Sequence, residues 1–298
     1  MSKVVLGKPE VVRKCLVAFL AGEHLLLEDV PGVGKTLVGK AIAKSIDGQF
    51  HRVQFTPDLL PSDIVGSSIF NSNTSEFLFQ PGPIFANIVL ADEINRAPPR
   101  TQSALLEAMS DNQVSVDGKT HPLPRPFMVI ATQNPFEFEG TYALPESQLD
   151  RFLLRISLGY PPRNQEREVL QSHRDHEPVD DLTPVVTADE VTRLQKAVRG
   201  VTLEETLNEY LLDIVHATRT HPDIQIGLST RGMLSYYRAA QAVAFVQGRD
   251  YVVTDDIKDL AVATISHRVI ARGVQHGSRR DYAEQIIEQI VDSLHVPV

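Results

Sequence analysis

The sequence predicts an α/β layer on a largely parallel sheet, followed by an all-helical tail. Five short apolar runs, at 25–27, 52–55, 88–91, 127–131 and 152–156, fall within residues 1–160. Each has the length of a buried strand. Helical patterns such as 36–46 and 99–109 lie between several of them. Strands that alternate with helices need crossover connections, and so pair in parallel. After Tyr160-Pro161-Pro162 the strand pattern stops and helical periodicity takes over.

Taken in order, the elements begin with an N-terminal helix. Lys3, Lys8, Arg13 and Lys14 precede the apolar run 15–21, loosely like a secretory leader. A helix packed under the next strand is expected instead, because a chemistry-bearing segment starts directly behind it. Two hairpins interrupt the first half. One pairs 68–70 with 77–79 across a polar turn. The other pairs 113–116 with 119–120 across Asp117-Gly118, a dipeptide suited to a type I′ turn. Phe and Val side chains on such loops often contact partners. Helix 164–173 follows, then a linker at 174–186 with three Asp, one Glu and two Pro. Thr187-Ala188-Asp189-Glu190 is a capping box, and Gly200 a suitable stop. Helices are then expected at 204–220, 230–246, 254–272 and 280–294, with no internal repeat.

Composition excludes several classes. Hydrophobic residues make up 42% of the 298, as in a folded globular chain. Twenty-nine Lys+Arg against 38 Asp+Glu leave a net charge of −9, which argues against a broadly basic nucleic-acid surface. Cys15 is the one cysteine, so an internal disulfide and a cysteine zinc site are both excluded and a reducing cytoplasm is expected. No apolar stretch reaches the ~18 residues of a membrane span. His173/His176 and His216/His221 lack a metal-site pattern. Cys15, Tyr236, Tyr237 and Phe245 are expected in the core.

Pro31-Gly32-Val33-Gly34-Lys35-Thr36 follows an apolar strand and opens a helix. That is the context of a phosphate-binding P-loop. Its glycines let backbone N–H groups turn toward phosphate oxygens, and the helix N-terminus adds positive potential. Lys35 can reach the β and γ phosphates, and the Thr36 hydroxyl can ligate Mg²⁺. In G-x-x-x-x-G-K-[ST] the first glycine falls at position 29, where this chain has Asp29; the segment that wraps the phosphates, Gly32 to Thr36, is intact. Asp92, at the tip of the run 88–91, can hold Mg²⁺ through water, and Glu93 can polarise an attacking water. Asn134, just past the run 127–131, suits either a water-positioning amide or plain turn chemistry before Pro135.

With these segments stand Gln54-Phe55-Thr56-Pro57-Asp58-Leu59-Leu60-Pro61-Ser62-Asp63, Gly82-Pro83-Ile84-Phe85 and Leu144-Pro145-Glu146-Ser147-Gln148-Leu149-Asp150-Arg151-Phe152. Together they resemble the MoxR family of AAA+ ATPases over nearly the whole chain. The resemblance implies an AAA+ P-loop core with a five-stranded parallel sheet at 1–188 and an all-helical lid at 189–298. It implies ATP and Mg²⁺ as ligands, with Val5, Pro31, Gly32, Val33, Gly34, Lys35, Thr36, Leu37 and Asp92 around the nucleotide. Thr36 and Asp92 would serve the metal. Asp92 and Glu93 would be the Walker B acids and Asn134 the sensor 1 residue. Arg151 would be an arginine finger acting on a neighbouring subunit, Arg155 a weaker candidate, and Arg231 the sensor 2 residue. Arg96 and Arg100 also suit a subunit edge. The hairpins match inserts that face the pore or substrate of related rings.

The implied activity is ATP hydrolysis in a homo-oligomeric, hexameric ring that remodels a protein client, with a von Willebrand factor A domain protein as partner. A chelatase-type motor subunit would share this core. A DNA-acting motor is disfavoured by the net charge and by the single Lys119 on the second hairpin, and a scaffold without turnover by Glu93.

Overall fold

The structure, a computed structural model, describes residues 1, 4–135, 140–172, 174, 176–273 and 279–296. Lys3 and His173 lie outside the described residues, and with them one end of the expected helix 164–173 and half of one histidine pair. In chain order the elements are α1 (Pro9–Ala21), β1 (His24–Glu28), α2 (Lys35–Ser45), β2 (Phe50–Gln54), α3 (Pro61–Val65), β3 (Gly66–Asn71), β4 (Glu76–Pro81), β5 (Ile88–Asp92), α4 (Pro99–Asp111), β6 (Gln113–Val116), β7 (Lys119–Pro122), β8 (Met128–Gln133), α5 (Glu146–Leu149), β9 (Phe152–Ile156) and α6 (Arg163–Ser172). They continue with α7 (Ala188–Val198), α8 (Glu205–Thr220), β10 (Ile224–Ile226), α9 (Thr230–Val246), α10 (Thr254–Ile265), β11 (Ile270–Ala271) and α11 (Arg279–Ser293).

The main sheet runs β2-β5-β8-β1-β9. Pairing of β2 with β5, β5 with β8 and β8 with β1 is parallel, with Val53 opposite Ala91, Leu90 opposite Ile130 and Leu26 opposite Ala131. Every residue of β5 is buried, as a parallel strand covered on both faces should be. By contact density the chain forms two compact units. The first comprises Met1–Arg13, His24–Leu144 and Ile156–Arg193; the second comprises Lys14–Glu23, Pro145–Arg155 and Leu194–Val298.

In the first unit α2 buries Val38, Ala41 and Ile42, spaced i, i+3, i+4 along one face. Helix α4 starts at Pro99, where a missing N–H costs nothing, and stops at Asn112, which adopts a left-handed conformation at φ 51°. His24, the first residue of β1, is buried and links α4 to β8. Its Nδ1 accepts from Val129 N at 3.0 Å and its Nε2–H donates to Met109 O at 3.0 Å. The hairpins form as expected. Asp117 and Gly118 both have positive φ, 51° and 75°, as a type I′ turn requires.

In the second unit the capping of α9 is explicit: the Ser229 hydroxyl accepts from Gly232 N at 2.9 Å. Tyr236 is fully buried and donates its hydroxyl to Ile257 O at 2.6 Å. Two expectations need correction here. The tail contains a short antiparallel ribbon, β10 with β11, besides its helices. The helix expected at 254–272 ends at Ile265. Beyond it His267 and Arg268 both turn to the carbonyl groups of β9: His267 Nε2 meets Phe152 O at 2.9 Å, and Arg268 Nη1 meets Leu153 O at 3.0 Å. A last helical turn carries Arg268 N to Ile265 O at 2.9 Å, and the chain then extends because Ile270 and Ala271 pair with β10. Among the described residues no helix is long and apolar enough to cross a membrane.

Leu90 is fully buried on the central strand β5. Replacing it with Ala is expected to cost ~2–5 kcal/mol, measured as a lower midpoint in chemical denaturation.

Candidate active site

Four adjacent strands deliver polar residues to one edge of the sheet. Gln54 ends β2, Asp92 ends β5, Gln133 ends β8 just before Asn134, and Asp29 follows β1. Ligands of open parallel sheets bind beyond these carboxyl ends. After β1 the chain turns through Gly32 at φ 83° and Gly34 at φ 93° into α2. Both are in the left-handed region, which a glycine enters without penalty, and a Cβ placed on either would project into open space. Leu37 and Val38 donate to Gly34 O at 3.0 and 3.3 Å. The N–H groups ahead of them lie at the helix start, where no intrahelical acceptor is available.

A cavity of about 470 Å³ is lined by Gly32, Gly34, Lys35, Thr36, Arg52, Gln54, Asp92 and Glu93, among others. Lys35 is buried and donates to Asp29 O at 2.9 Å. Burial lowers its pKa, opposed by Asp92, Asp29 and Glu93. A second, mostly apolar cavity of about 510 Å³ shares Gly32, Gly34 and Leu37 with the first and adds Val4, Val5, Val33, Leu158, Gly159 and Tyr160. A polar cradle joined to an apolar pocket suits a triphosphate joined to a base.

The acids sit in a tight network. Thr132 is fully buried; its hydroxyl donates to Asp92 Oδ1 at 2.6 Å and accepts from Glu93 N at 2.8 Å. Glu93 takes a left-handed conformation, φ 58° and ψ 50°. Gln54 Nε2 donates to Glu93 Oε2 at 2.7 Å, and Arg96 Nε lies 3.2 Å from the same oxygen. Arg52 reaches Asp92 Oδ2 with Nη2 at 2.5 Å and Nε at 3.1 Å. Asn134 is buried at the end of β8. Arg52, Gln54 and Thr132 were missed by motif reading. The signal for the first two was strand alternation: residues i and i+2 share a face, so both lie on the side opposite Val53.

Arg151 and Arg231 belong to the second unit. The neighbours of Arg151 are firmly held. Arg268 is fully buried; its Nε donates to Asp150 Oδ1 at 2.9 Å and its Nη2 to Phe152 O at 2.5 Å. Burial brings the Arg268 pKa down to about 10, opposed by Asp150, so it stays charged at neutral pH. Ser229, the cap of the helix bearing Arg231, donates to Asp150 Oδ2 at 3.1 Å. One carboxylate thus ties the Arg151 segment to the start of the Arg231 helix. Arg155 is committed elsewhere: it donates to Ser266 Oγ and Glu284 Oε1, both at 3.0 Å.

A Gly-Lys-Thr turn at a helix start, beside an acidic strand end, is the arrangement of a P-loop nucleoside triphosphatase. Residues 24–154 match the ATPase family associated with various cellular activities (AAA), and 216–290 match the AAA lid domain. The chain is 49% identical to the uncharacterized protein YeaC of Bacillus subtilis, over all of this chain and 93% of that one. It is 40% identical to Chaperone MoxR1 of Mycobacterium tuberculosis, over 91% of this chain and 74% of that one. A crystal structure from Cytophaga hutchinsonii, provisionally assigned as an ATPase, superposes with a TM-score of 0.89 at 40% identity, over all of this chain and 92% of that one. The chain belongs to the MoxR family of AAA+ ATPases. Nucleotide binding and ATPase activity follow from that membership.

His267 lies next to Arg268 and its pKa falls well below 6.5, through burial first and then the charges of Arg268 and Arg155. The unfolded chain therefore gains a proton on acidification that the folded one refuses. Stability should be unaffected above the unfolded pKa of ~6.5 and fall by up to ~1.4 kcal/mol per unit below it. Denaturation midpoints between pH 7.5 and 5.5 measure this, and His267→Gln should flatten the component due to this residue.

Proposed function

We propose that this ATPase works with Mg²⁺ in a hexameric ring and remodels a protein client in the cytoplasm, partnered by a von Willebrand factor A domain protein. The observation that carries the catalytic part is the convergence of Lys35, Thr36, Asp92 and Glu93 on one cavity. Lys35 and the backbone of Pro31, Gly32, Val33, Gly34 and Leu37 would hold the phosphates, and Val5 would line the base pocket. Thr36 and Asp92 offer hard oxygen donors in that cavity, a set that fits magnesium; the ion would neutralise charge on the β and γ phosphates. Glu93 polarises the attacking water, and Asn134 orients it.

Asp92 and Glu93 are engaged by Arg52 and Gln54. The Arg52 side chain is half exposed while Asp92 is nearly buried, so the guanidinium would turn to a phosphate oxygen as a cation takes its place on Asp92. Arg151 would act as the finger on a neighbouring subunit and Arg231 as sensor 2, in a division of labour between a core at 1–188 and a lid at 189–298. Ile69, Phe70, Phe77 and Leu78 are exposed on the β3–β4 hairpin, an apolar surface suited to a protein client. The name of the mycobacterial relative, a chaperone, supports the same reading.

Lys35→Ala should abolish ATP binding in equilibrium titration. Glu93→Gln should bind ATP and lose at least ~10²-fold in turnover; normal turnover would remove Glu93 as the base. Arg151→Ala should keep nucleotide and lose ~10³–10⁵-fold in hydrolysis. Mixing it with Lys35→Ala subunits should restore part of the activity, and no recovery counts against action in trans. A Glu93→Gln trap should capture a client that Phe70→Ser/Phe77→Ser no longer holds.

A further inference from the structure

Asp29 places a negative charge beside Lys35, in a site for a polyanion, where the P-loop pattern has glycine. Like charge there opposes binding, so the residue needs a positive reason to be present. Its environment supplies one. Asp29 is 6% exposed. Its N–H donates to Gln133 O at 3.1 Å, extending the β1–β8 pairing, and its carbonyl accepts from Lys35 Nζ at 2.9 Å. Carboxylate Oδ1 accepts from Val30 N at 3.1 Å. Oδ2 accepts from Ser157 Oγ at 3.0 Å, from Gly159 N at 2.8 Å and from Leu158 N.

Those three donors belong to the strap that leaves β9. Leu158 and Gly159, with Tyr160 and Pro161, wall the apolar cavity. Gly159 has φ 61°, a left-handed turn that lets two successive N–H groups face one oxygen. The backbone of Asp29 thus holds the phosphate-binding lysine while its side chain holds the wall of the base pocket. Glycine could do only the first.

We infer that Asp29 is a positioning residue for the nucleoside half of the ligand: it fastens the base pocket to the phosphate cradle at a fixed separation. The inference rests on the nucleotide reading of the two cavities. A ligand with both a base and phosphates depends on this clasp, and a ligand made of phosphates alone does not.

The test compares ATP with inorganic tripolyphosphate by isothermal titration. Asp29→Gly restores the motif glycine and removes the clasp. It should weaken ATP by at least about ten-fold, the scale of losing charge-assisted hydrogen bonds, and should not weaken tripolyphosphate, whose binding the lost negative charge favours. Asp29→Asn keeps the shape but sets an NH₂ against N–H donors on one side. It should shift ATP the same way by less, and it decides the matter if the glycine variant does not fold. Ser157→Ala, which removes one donor, should weaken ATP alone by a few-fold. Unchanged ATP affinity in the folded Asp29 variants, or equal loss of both ligands, overturns the proposal. Failure of the nucleotide reading shows separately: the unsubstituted chain would bind neither ligand, or Lys35→Ala would bind both.

Discussion

Parallel, in-register pairing of β2, β5, β8 and β1 is the constraint on which the site depends. It ends four strands along one edge, so segments about 100 residues apart in sequence become neighbours. Apolar packing on both faces holds the register. A slip of one residue would turn each tip residue to the opposite face, and Asp92 would lose Thr132 and Arg52 together. The hydrophobic runs therefore do more than make a core; they set the angstrom-scale spacing of the polar groups beyond them.

At that edge, charge is managed by pairing rather than by solvent. Asp92 is held by Thr132 and Arg52, Glu93 by Gln54 and Arg96, and Lys35 by a backbone carbonyl. Buried Lys35 is discouraged from carrying its proton, while three nearby acids favour it. The contacts differ in exposure: Arg52 is half exposed, whereas Thr132 is fully buried against Asp92. In the second unit Arg268 is wholly buried and saturated with acceptors, and removing one partner of such a pair typically costs ~3–5 kcal/mol.

Much of this was legible in the residues. Continuous apolar runs announced β1, β5, β8 and β9 to within a residue or two, and Asp117-Gly118 announced a hairpin. Gly32 to Thr36 marked the turn that lines the polar cavity, because a phosphate cradle needs consecutive special residues. What stayed hidden depends on contacts between distant positions. Nothing near Arg52 in sequence points to Asp92, forty residues on. Asp29 looked like a blemish in a motif because its partners lie at 157–159. The helix expected to reach residue 272 stops early because residues 270–271 pair with β10, a contact that helical periodicity cannot reveal. On the hairpins, Val114 proved buried while Phe70 and Phe77 are exposed, a distinction that composition does not draw.

Glu93 shows where fold and chemistry part company. Its left-handed backbone is one that Gly or Asn adopts with less strain, and for a residue such as Glu the penalty is of order 1–3 kcal/mol. A sequence chosen for stability alone would put a smaller residue there and gain. If Glu93 is the base proposed above, a more heat-resistant protein and a working one are different molecules at this position. Thermal resistance sought by random substitution would tend to select against the carboxylate proposed to polarise the attacking water.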